Sequence, residues 1–401
     1  MSGNILLRRR TLMAGMGAGL ALGLMPRMAF AQDSGPIKLG SLTPLTGAGA
    51  NYGGRMRDAI AAVVAAANEA GGVHGRELVL VSEDDQTSPE AGVRAARKLI
   101  DVDGVAAIMG VWASSVTTAV APLCWESRTM LFCTSGADSI TKLPHQGYVV
   151  RTEPGTSLLM SQVGRFMVEE GAQKLGWIGV QTPFAQDLAN VLTSVGAESG
   201  IETTTVIYEA DKTSYRTEVD QLLATNPDFI FLGGYSPDTI VVLRDLYRAG
   251  YAGKAIAPNY TVDSTVLEAL PPEVTEGIYT EGAVTPDTAP GLIAAKELLG
   301  TDTIDSYTVQ AYDHANLAIL ALAAAATPNG EGIKDNLRSV AAGGEKVSSV
   351  AEGLAALAEG KDIDFDGASG LLEFDEIGDI TTVDLRYEVI KDGAFELYKA
   401  P

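Results

Sequence analysis

The sequence has few of the side chains that carry out catalysis or bind metals. Its 401 residues include only 2 cysteines and 3 histidines. None of these residues is paired at a metal-ligand spacing, and the patterns CxxC, HExxH and GxSxG are absent. Nucleophilic catalysis and zinc sites need such groups in defined arrangements. We therefore expect no catalytic residues, no metal site and no enzyme activity.

Basic residues are also scarce. The chain has 29 Lys and Arg against 51 Asp and Glu, for a formal net charge of −22. Four of the arginines lie in the first 27 residues, and removal of that segment leaves 25 basic residues and a net charge of −26. A surface this negative repels nucleic acid and anionic lipid. The partner is expected to be a small molecule or a protein.

The first 31 residues have the pattern of an export signal. An arginine triplet at 8–10 precedes an apolar core from Leu12 to Met25, and Ala29-Phe30-Ala31 is typical of a cleavage site. A 14-residue core is too short to span a membrane. The arginines resemble a twin-arginine signal, with the general secretory route as the alternative. We predict cleavage before Gln32 and release into the periplasm.

The two cysteines are predicted to remain free thiols. Cys124 lies near the end of a predicted helix, and Cys133 follows the next strand, 129–132. Four strand residues at about 3.3 Å each separate the two by about 13 Å. Since a disulfide needs Cα atoms within about 7 Å, we expect two buried free thiols.

Short apolar strands alternate with helical patterns from Ile37 onward. This alternation predicts the α/β class, with parallel strands joined by right-handed crossovers. The pattern begins again after Arg151, which predicts two doubly wound parallel-sheet units. The predicted helices are residues 52–70, 89–100, 115–126, 184–199, 215–225, 237–249 and 308–326.

The C-terminal segment departs from this alternation. SGLLEFD, a turn at Gly378-Asp379 and VDLRYEVI predict an antiparallel hairpin added to a sheet edge. No low-complexity linker divides the two units, so the chain is expected to cross between them several times. A ligand would then bind at the carboxyl ends of the strands, in the crevice between the units.

Polar loops follow four of the predicted strands. Ser114 and Ser115 begin a helix, where free N–H groups favour a carboxylate, although a simple capping role is the alternative. Ser135, Gly136 and Ala137 follow the next strand, while Tyr235 and Asn259 lie after strands of the second unit. Two loops from each unit are typical of a ligand clamp rather than a catalytic centre.

A glycine-rich segment, Gly47–Gly53, has the spacing G-x-G-x-x-x-G between a strand and a helix. In a dinucleotide-binding fingerprint the first glycine follows the strand almost directly. Here the residues 43–46 intervene, so we expect a loop at the edge of the crevice and no nucleotide cofactor.

Five segments of the chain form a recognisable series: IKLGSLTPLTGAGANYG, NEAGGVHGRELVLVSEDDQTSPEAGVRAARKLI, IMGVWASS, GGYSPDTIVVLRDLYRAG and FDEIGD. Their order and spacing resemble the periplasmic binding proteins of the leucine/isoleucine/valine-binding group, the receptors of ATP-binding-cassette (ABC) importers. The resemblance implies two lobes joined by three hinge crossovers, and a monomer that delivers an amino acid or related ligand to an inner-membrane permease. The implied lobes are 32–153 with 282–367 and 154–281 with 368–401, with hinges near 152–155, 280–282 and 366–370.

The resemblance also assigns ligand contacts. Ser114 matches the serine that binds the ligand carboxylate with its hydroxyl and the neighbouring amides. Residues 135–137 match the loop that binds the α-amino and carboxylate groups, although Ala137 stands where the family has a threonine. Tyr52 and Tyr235 match tyrosines of the cleft, and Phe184 matches a cleft aromatic residue.

Asn259 marks the main departure from the family. It stands where the family has the glutamate that neutralises the ligand's ammonium group. Burying an ammonium without a counter-charge costs several kcal/mol. Either another acid, such as Asp138 or Asp263, replaces the glutamate, or the ligand lacks an ammonium. Trp112 offers a flat wall for a planar ligand such as an aromatic acid, with core packing as the alternative.

Overall fold

The computed structural model describes residues 35–400, so the predicted signal segment lies outside the described residues. The described chain forms a five-stranded sheet, a seven-stranded sheet and a two-stranded ribbon. Within residues 35–400, no helix combines the length and apolarity needed to cross a membrane.

The first lobe is built on the five-stranded sheet, whose strand order is β2-β1-β3-β4-β5 and whose pairs are all parallel. Every residue of β3 and β4 is buried, as expected for parallel strands covered by helices on both faces. Its elements are β1 (Ile37–Thr43), α1 (Ala50–Glu69), β2 (Leu78–Asp84), α2 (Pro89–Arg97), a π-helical segment (Lys98–Asp103), β3 (Ala107–Val111), α3 (Ser114–Ser127), β4 (Met130–Cys133) and β5 (Val149–Arg151).

The second lobe repeats the alternation. The central strands of its seven-stranded sheet are parallel, and its order is β14-β13-β10-β9-β8-β6-β7. Its first elements are α4 (Thr156–Glu169), β6 (Lys174–Val180), α5 (Pro183–Glu198), β7 (Glu202–Tyr208), α6 (Arg216–Leu223), β8 (Phe229–Gly233), α7 (Ser236–Arg248), β9 (Lys254–Pro258), α8 (Ser264–Ala269), α9 (Pro272–Thr275) and β10 (Tyr279–Ala283).

The chain then returns to the first lobe before it ends in the second. The long helix α11 is almost entirely buried, and its apolar residues belong to the first lobe's core. The remaining elements are α10 (Pro290–Leu299), α11 (Ser306–Ala324), α12 (Gly330–Val340), β11 (Glu345–Val347), α13 (Val350–Ala358), β12 (Ile363–Phe365), β13 (Leu385–Lys391) and β14 (Ala394–Lys399).

The chain therefore passes between the lobes three times, after β5, after β10 and after β12. The α/β architecture with two doubly wound sheets is confirmed. Observed helix ends agree with the sequence to within two residues, except that α2 stops at Arg97 and continues as the π-helical segment. Cys124 and Cys133 are buried free thiols, as expected.

The predicted C-terminal hairpin was wrong in its partner strand. SGLLEFD is not a strand, and only an isolated bridge joins Phe374 to Ile380. The hairpin instead pairs β13 with β14 through Asp392-Gly393, where both residues have positive φ. Two positive φ angles match the twist of the flanking strands, which explains why this turn closes the hairpin. On its other side, β13 pairs antiparallel with β10.

The glycine-rich segment allows close packing at the edge of the crevice. A Cβ on Gly49 would lie 2.7 Å from the Trp112 ring, and a Cβ on Gly53 would lie 2.1 Å from the Pro44 carbonyl oxygen. In this fold these glycines let α1 approach the loop after β1.

We expect Gly53→Ala to lower the free energy of unfolding by about 1 to 3 kcal/mol, because the added methyl group collides with rigid backbone. The matched control is Gly54→Ala, where a Cβ would meet nothing within 4 Å. That substitution should raise the free energy of unfolding by about 0.5 to 1 kcal/mol. Urea denaturation measures both, and equal effects would contradict the packing described for α1.

Candidate ligand-binding site

Six aromatic side chains from both lobes meet between the sheets. Trp112, directly after β3, is at the centre of this ring cluster. Its ring centroid lies 5.3 Å from that of Tyr235, 5.7 Å from Tyr307, and 5.9 Å from both Tyr52 and Tyr260. Phe184, at the start of α5, approaches Tyr260 at 6.2 Å. Tyr52 and Tyr307 are on α1 and α11 of the first lobe, so the cluster joins the two lobes.

A cavity of about 20 Å³ remains inside the ring cluster, which is room for about one water molecule. An amino acid is much larger, so its entry requires the lobes to separate or the rings to move. The residues that line this ring cavity are Trp112, Ala113, Ser114, Thr134, Gly136, Glu153, Phe184, Tyr235, Tyr260 and Tyr307.

The first turn of α3 forms the polar wall of the ring cavity. Ala113 precedes the helix and no side chain caps it, so the first backbone N–H groups have no helical acceptor. The Ser114 Oγ accepts a hydrogen bond from the Ala137 N–H at 3.2 Å, which leaves the hydroxyl proton available. The buried Thr134 Oγ1 has no hydrogen-bond partner within residues 35–400. These donors and the helix dipole suit a carboxylate.

Other residues of the predicted loops pack behind this polar wall and hold it in place. Ser135 is fully buried, and its hydroxyl bonds to the carbonyl oxygens of Val111 at 3.1 Å and Trp112 at 2.9 Å. Gly136 permits close approach of Phe184, whose ring would lie 2.5 Å from a Cβ at this position. Ser115 is half-buried and does not line the ring cavity.

The structure does not bring Asn259 to the ring cavity. Its side-chain amide packs against Gly282, where a Cβ would lie 2.3 Å from Nδ2. Asn259 instead lines a neighbouring cavity of about 470 Å³, together with Asp305, Gln310 and Arg386. The predicted residues that do line the ring cavity are Trp112, Ser114, Gly136, Phe184 and Tyr235, with Tyr52 packed against Trp112.

Five lining residues were not predicted from the sequence. Ala113, Thr134 and Tyr260 each adjoin a predicted site residue and follow strand ends, so their positions carried a usable signal. Tyr307 lies on a long buried helix whose pattern indicated only core packing. Glu153 lies within the first crossover, in a predicted hinge rather than a predicted binding loop.

Glu153 places an acid on the wall of the ring cavity. It is half-buried, and its Oε2 accepts a hydrogen bond from Gln310 Nε2 at 2.6 Å. Its position deep between the lobes removes solvent and raises the pKa of its carboxyl to about 7. Without a ligand this group therefore holds a proton for much of the time near neutral pH.

The nearest cation, Arg151, is fully engaged elsewhere. Its Nε and Nη2 donate to the two carboxylate oxygens of Asp379 at 2.7 and 2.8 Å. Its Nη1 donates to the carbonyl oxygens of Gly136 and Ala137 at 2.8 and 2.9 Å. Asp138 lies 3.6 Å from Nη2. This arginine fixes the loop after β4 and donates no hydrogen bond to Glu153, although its charge lowers the pKa of that carboxyl.

Glu281 on β10 is a second buried acid near the crevice. It is 2% exposed, and its Oε1 has no partner within the described chain. Burial, assisted by the negative charge of Glu153, raises its pKa to about 8. It does not line the ring cavity. Within residues 35–400, no three metal-ligating side chains are grouped closely enough to hold an ion.

Comparison with known proteins identifies the family. The profile of the periplasmic binding protein family matches residues 36–349, and the chain belongs to this family of binding proteins, which are not enzymes. A leucine-, isoleucine-, valine-, threonine- and alanine-binding protein of Pseudomonas aeruginosa is 26% identical over 94% of this chain and 95% of that protein. The chemotactic substrate-binding protein BasB of Halobacterium salinarum is 27% identical over 84% of this chain and 82% of that protein.

Solved structures share the fold. The leucine-binding protein LivK of Thermotoga maritima superimposes with a TM-score of 0.76 at 21% identity, over 90% of this chain and 98% of that chain. The branched-chain amino acid transporter substrate-binding protein LivJ of Streptococcus pneumoniae, in complex with isoleucine, superimposes with a TM-score of 0.73 at 18% identity, over 91% of this chain and 100% of that chain. At these identities the likeness establishes the two-lobed architecture.

We expect Glu281→Gln to change how stability depends on pH. A glutamate in the unfolded chain loses its proton near pH 4.5, whereas Glu281 in the folded chain keeps it to about pH 8. Between these values the folded state binds more protons, so the free energy of unfolding falls as pH rises, by about 1.4 kcal/mol per pH unit.

Urea denaturation between pH 5 and pH 8 measures this slope. The Glu281→Gln variant should lose less stability over that range than the wild type. The exposed Glu268 provides the control variant, Glu268→Gln, which should keep the wild-type slope. Parallel curves for the wild type and Glu281→Gln would show that Glu281 is already ionised in the folded protein.

Proposed function

We propose that the protein is a periplasmic solute receptor of an ABC importer, which holds a small amino acid or related carboxylate between its lobes. The observation that carries this proposal is the ring cavity. It lies between the two lobes, residues of both lobes line it, and the chain belongs to a family of binding proteins. The predicted export signal and the family description support the periplasmic location, and the name of the Pseudomonas aeruginosa relative supports the ligand class.

The ligand carboxylate is assigned to the first turn of α3. Ser114, Thr134 and the unpaired amides of that turn are the donors on this wall. The ring cluster would cover the rest of the ligand. This geometry suits branched-chain amino acids and also aromatic acids. The two classes differ in the ammonium group, which only the amino acids carry.

Closure of the lobes would couple binding to recognition by the permease. A ligand that touches both walls favours the closed arrangement, because it gains contacts there that the open arrangement lacks. We assign residues 32–153 with 282–367 to one moving unit and 154–281 with 368–401 to the other, with hinges at the three crossovers. The closed receptor, as a monomer, would then dock on the permease.

A sensor that reports a ligand to a signalling partner is the second candidate. The similarity to BasB, a substrate-binding protein of a chemotactic signal transduction system, favours it. Uptake of a radiolabelled ligand by cells with and without the gene separates the two functions. Loss of uptake supports the importer, and intact uptake with a lost chemotactic response supports the sensor.

A ligand panel tests the receptor function directly. We expect the mature chain to gain thermal stability with at least one amino acid or small carboxylate, because ligand binds only the folded state. At a hundredfold excess over the dissociation constant the gain is about 2.7 kcal/mol. Differential scanning fluorimetry with the twenty amino acids and their amine-free counterparts measures the gain. No gain with any compound of the panel would contradict a receptor for amino acids or small carboxylates.

Ser114→Ala should weaken binding of the active carboxylate ligand by about 10- to 100-fold, the usual effect of removing a hydrogen bond to a charged group. Ser115→Ala is the matched control, since this neighbouring serine does not line the ring cavity. Isothermal titration calorimetry of both variants, after their thermal melts confirm folding, makes the comparison. Equal ligand affinities of the two variants would show that the Ser114 hydroxyl does not bind the ligand.

A further inference from the structure

Glu153 has one carboxylate oxygen without a donor. Oε2 accepts from Gln310 Nε2, but no residue within 35–400 donates to Oε1. The side chain is half-buried and lines the ring cavity. An acid so placed has room for one more hydrogen-bond donor, and that donor must come from outside the described chain.

Burial raises the pKa of Glu153 by more than the nearby charge of Arg151 lowers it. Arg151 donates its hydrogen bonds to Asp379 and to two backbone carbonyl oxygens, and none to Glu153. The negative charge of Glu153 raises the pKa values of Glu281, Tyr260 and Tyr307, and none of these groups is a cation. A positive charge from the ligand would therefore favour the ionised form of Glu153 in the closed crevice.

The ring cluster adds to the preference for a cation. Trp112, Tyr235, Tyr260 and Tyr307 line the same cavity as Glu153. Aromatic faces attract a cationic nitrogen, and the attraction is strongest where water is excluded. The same cavity is lined by the unpartnered, buried Thr134 hydroxyl and by the start of α3, which suit the negative end of the same ligand.

We propose that Glu153 is the counter-charge for the ligand's ammonium group, in the role that Asn259 lacks the charge to fill. This inference rests on the proposed receptor function and narrows its ligand class to molecules that carry an ammonium beside a carboxylate. The carboxylate binds at α3, and the ammonium binds between Glu153 Oε1 and the ring faces. Glu153 thus determines specificity against amine-free acids of the same shape.

The test compares two probes that differ only in the ammonium group, L-leucine and 4-methylpentanoate, on the mature wild type and on Glu153→Gln. The glutamine keeps an oxygen for the Gln310 hydrogen bond but has no charge. If another amino acid gives the largest shift in the panel, it and its amine-free counterpart replace this pair. Calorimetric titration should show that the variant binds the amino acid about 10- to 100-fold more weakly, with unchanged or tighter binding of the amine-free acid.

Glu281→Gln is the matched control, because it removes a buried acid that does not line the ring cavity. It should keep the wild-type preference, and Glu153→Asp should restore part of the affinity for the amino acid. Equal preference in Glu153→Gln and the wild type would overturn the role of Glu153 and leave the receptor function standing. Binding of amine-free acids alone by the wild type would also overturn it, while binding of nothing in the panel would overturn both proposals.

A second measurement needs no variant. Glu153 is partly protonated without a ligand near pH 6 to 7, since its pKa is raised to about 7. An ammonium at Oε1 would ionise it and release a proton. Titrations of the wild type in buffers with different ionisation enthalpies should show proton release with the amino acid and none with its amine-free counterpart. Equal proton release by the two probes would overturn the proposal.

Discussion

The geometry of the crevice depends on one buried arginine. Arg151 ends β5, is 1% exposed, and directs every side-chain nitrogen at an acceptor. Its bidentate pair with Asp379 ties the first crossover to the third, and its bonds to the carbonyl oxygens of Gly136 and Ala137 set the loop after β4. A charge buried this deeply is tolerated only when it is fully paired, so these segments are held in one arrangement.

This arrangement determines which acid is available for a ligand. Because Arg151 donates to Asp379 and to backbone oxygens, Glu153 two residues later has only a neutral amide as its hydrogen-bond partner. The ring cluster then closes over it and excludes water. A ligand with an ammonium group would replace a buried, partly protonated acid with an ion pair, so binding and closure would favour each other.

The sequence predicted the regular parts of the fold well, because strands and helices with buried faces have a clear hydrophobic period. It also predicted Trp112 and Ser114 as residues of the site, since both follow a buried strand at the carboxyl edge of the sheet. It did not identify Glu153, because crossovers have no period and pairing of Arg151 with Asp379, 228 residues away, is invisible in the chain order. The predicted hairpin turn at Gly378-Asp379 is wrong because a second turn signal follows it in the chain. Asp392-Gly393 is the stronger two-residue turn signal, and both of its residues have positive φ.

A crystal structure of the mature chain with the amino acid that binds most tightly tests the central claim most directly. Our account predicts that the ligand fills the ring cavity, with its carboxylate at the first turn of α3 and its nitrogen within about 3 Å of Glu153 Oε1. A ligand bound in the neighbouring cavity beside Asn259, or one whose nitrogen faces away from Glu153, would contradict it.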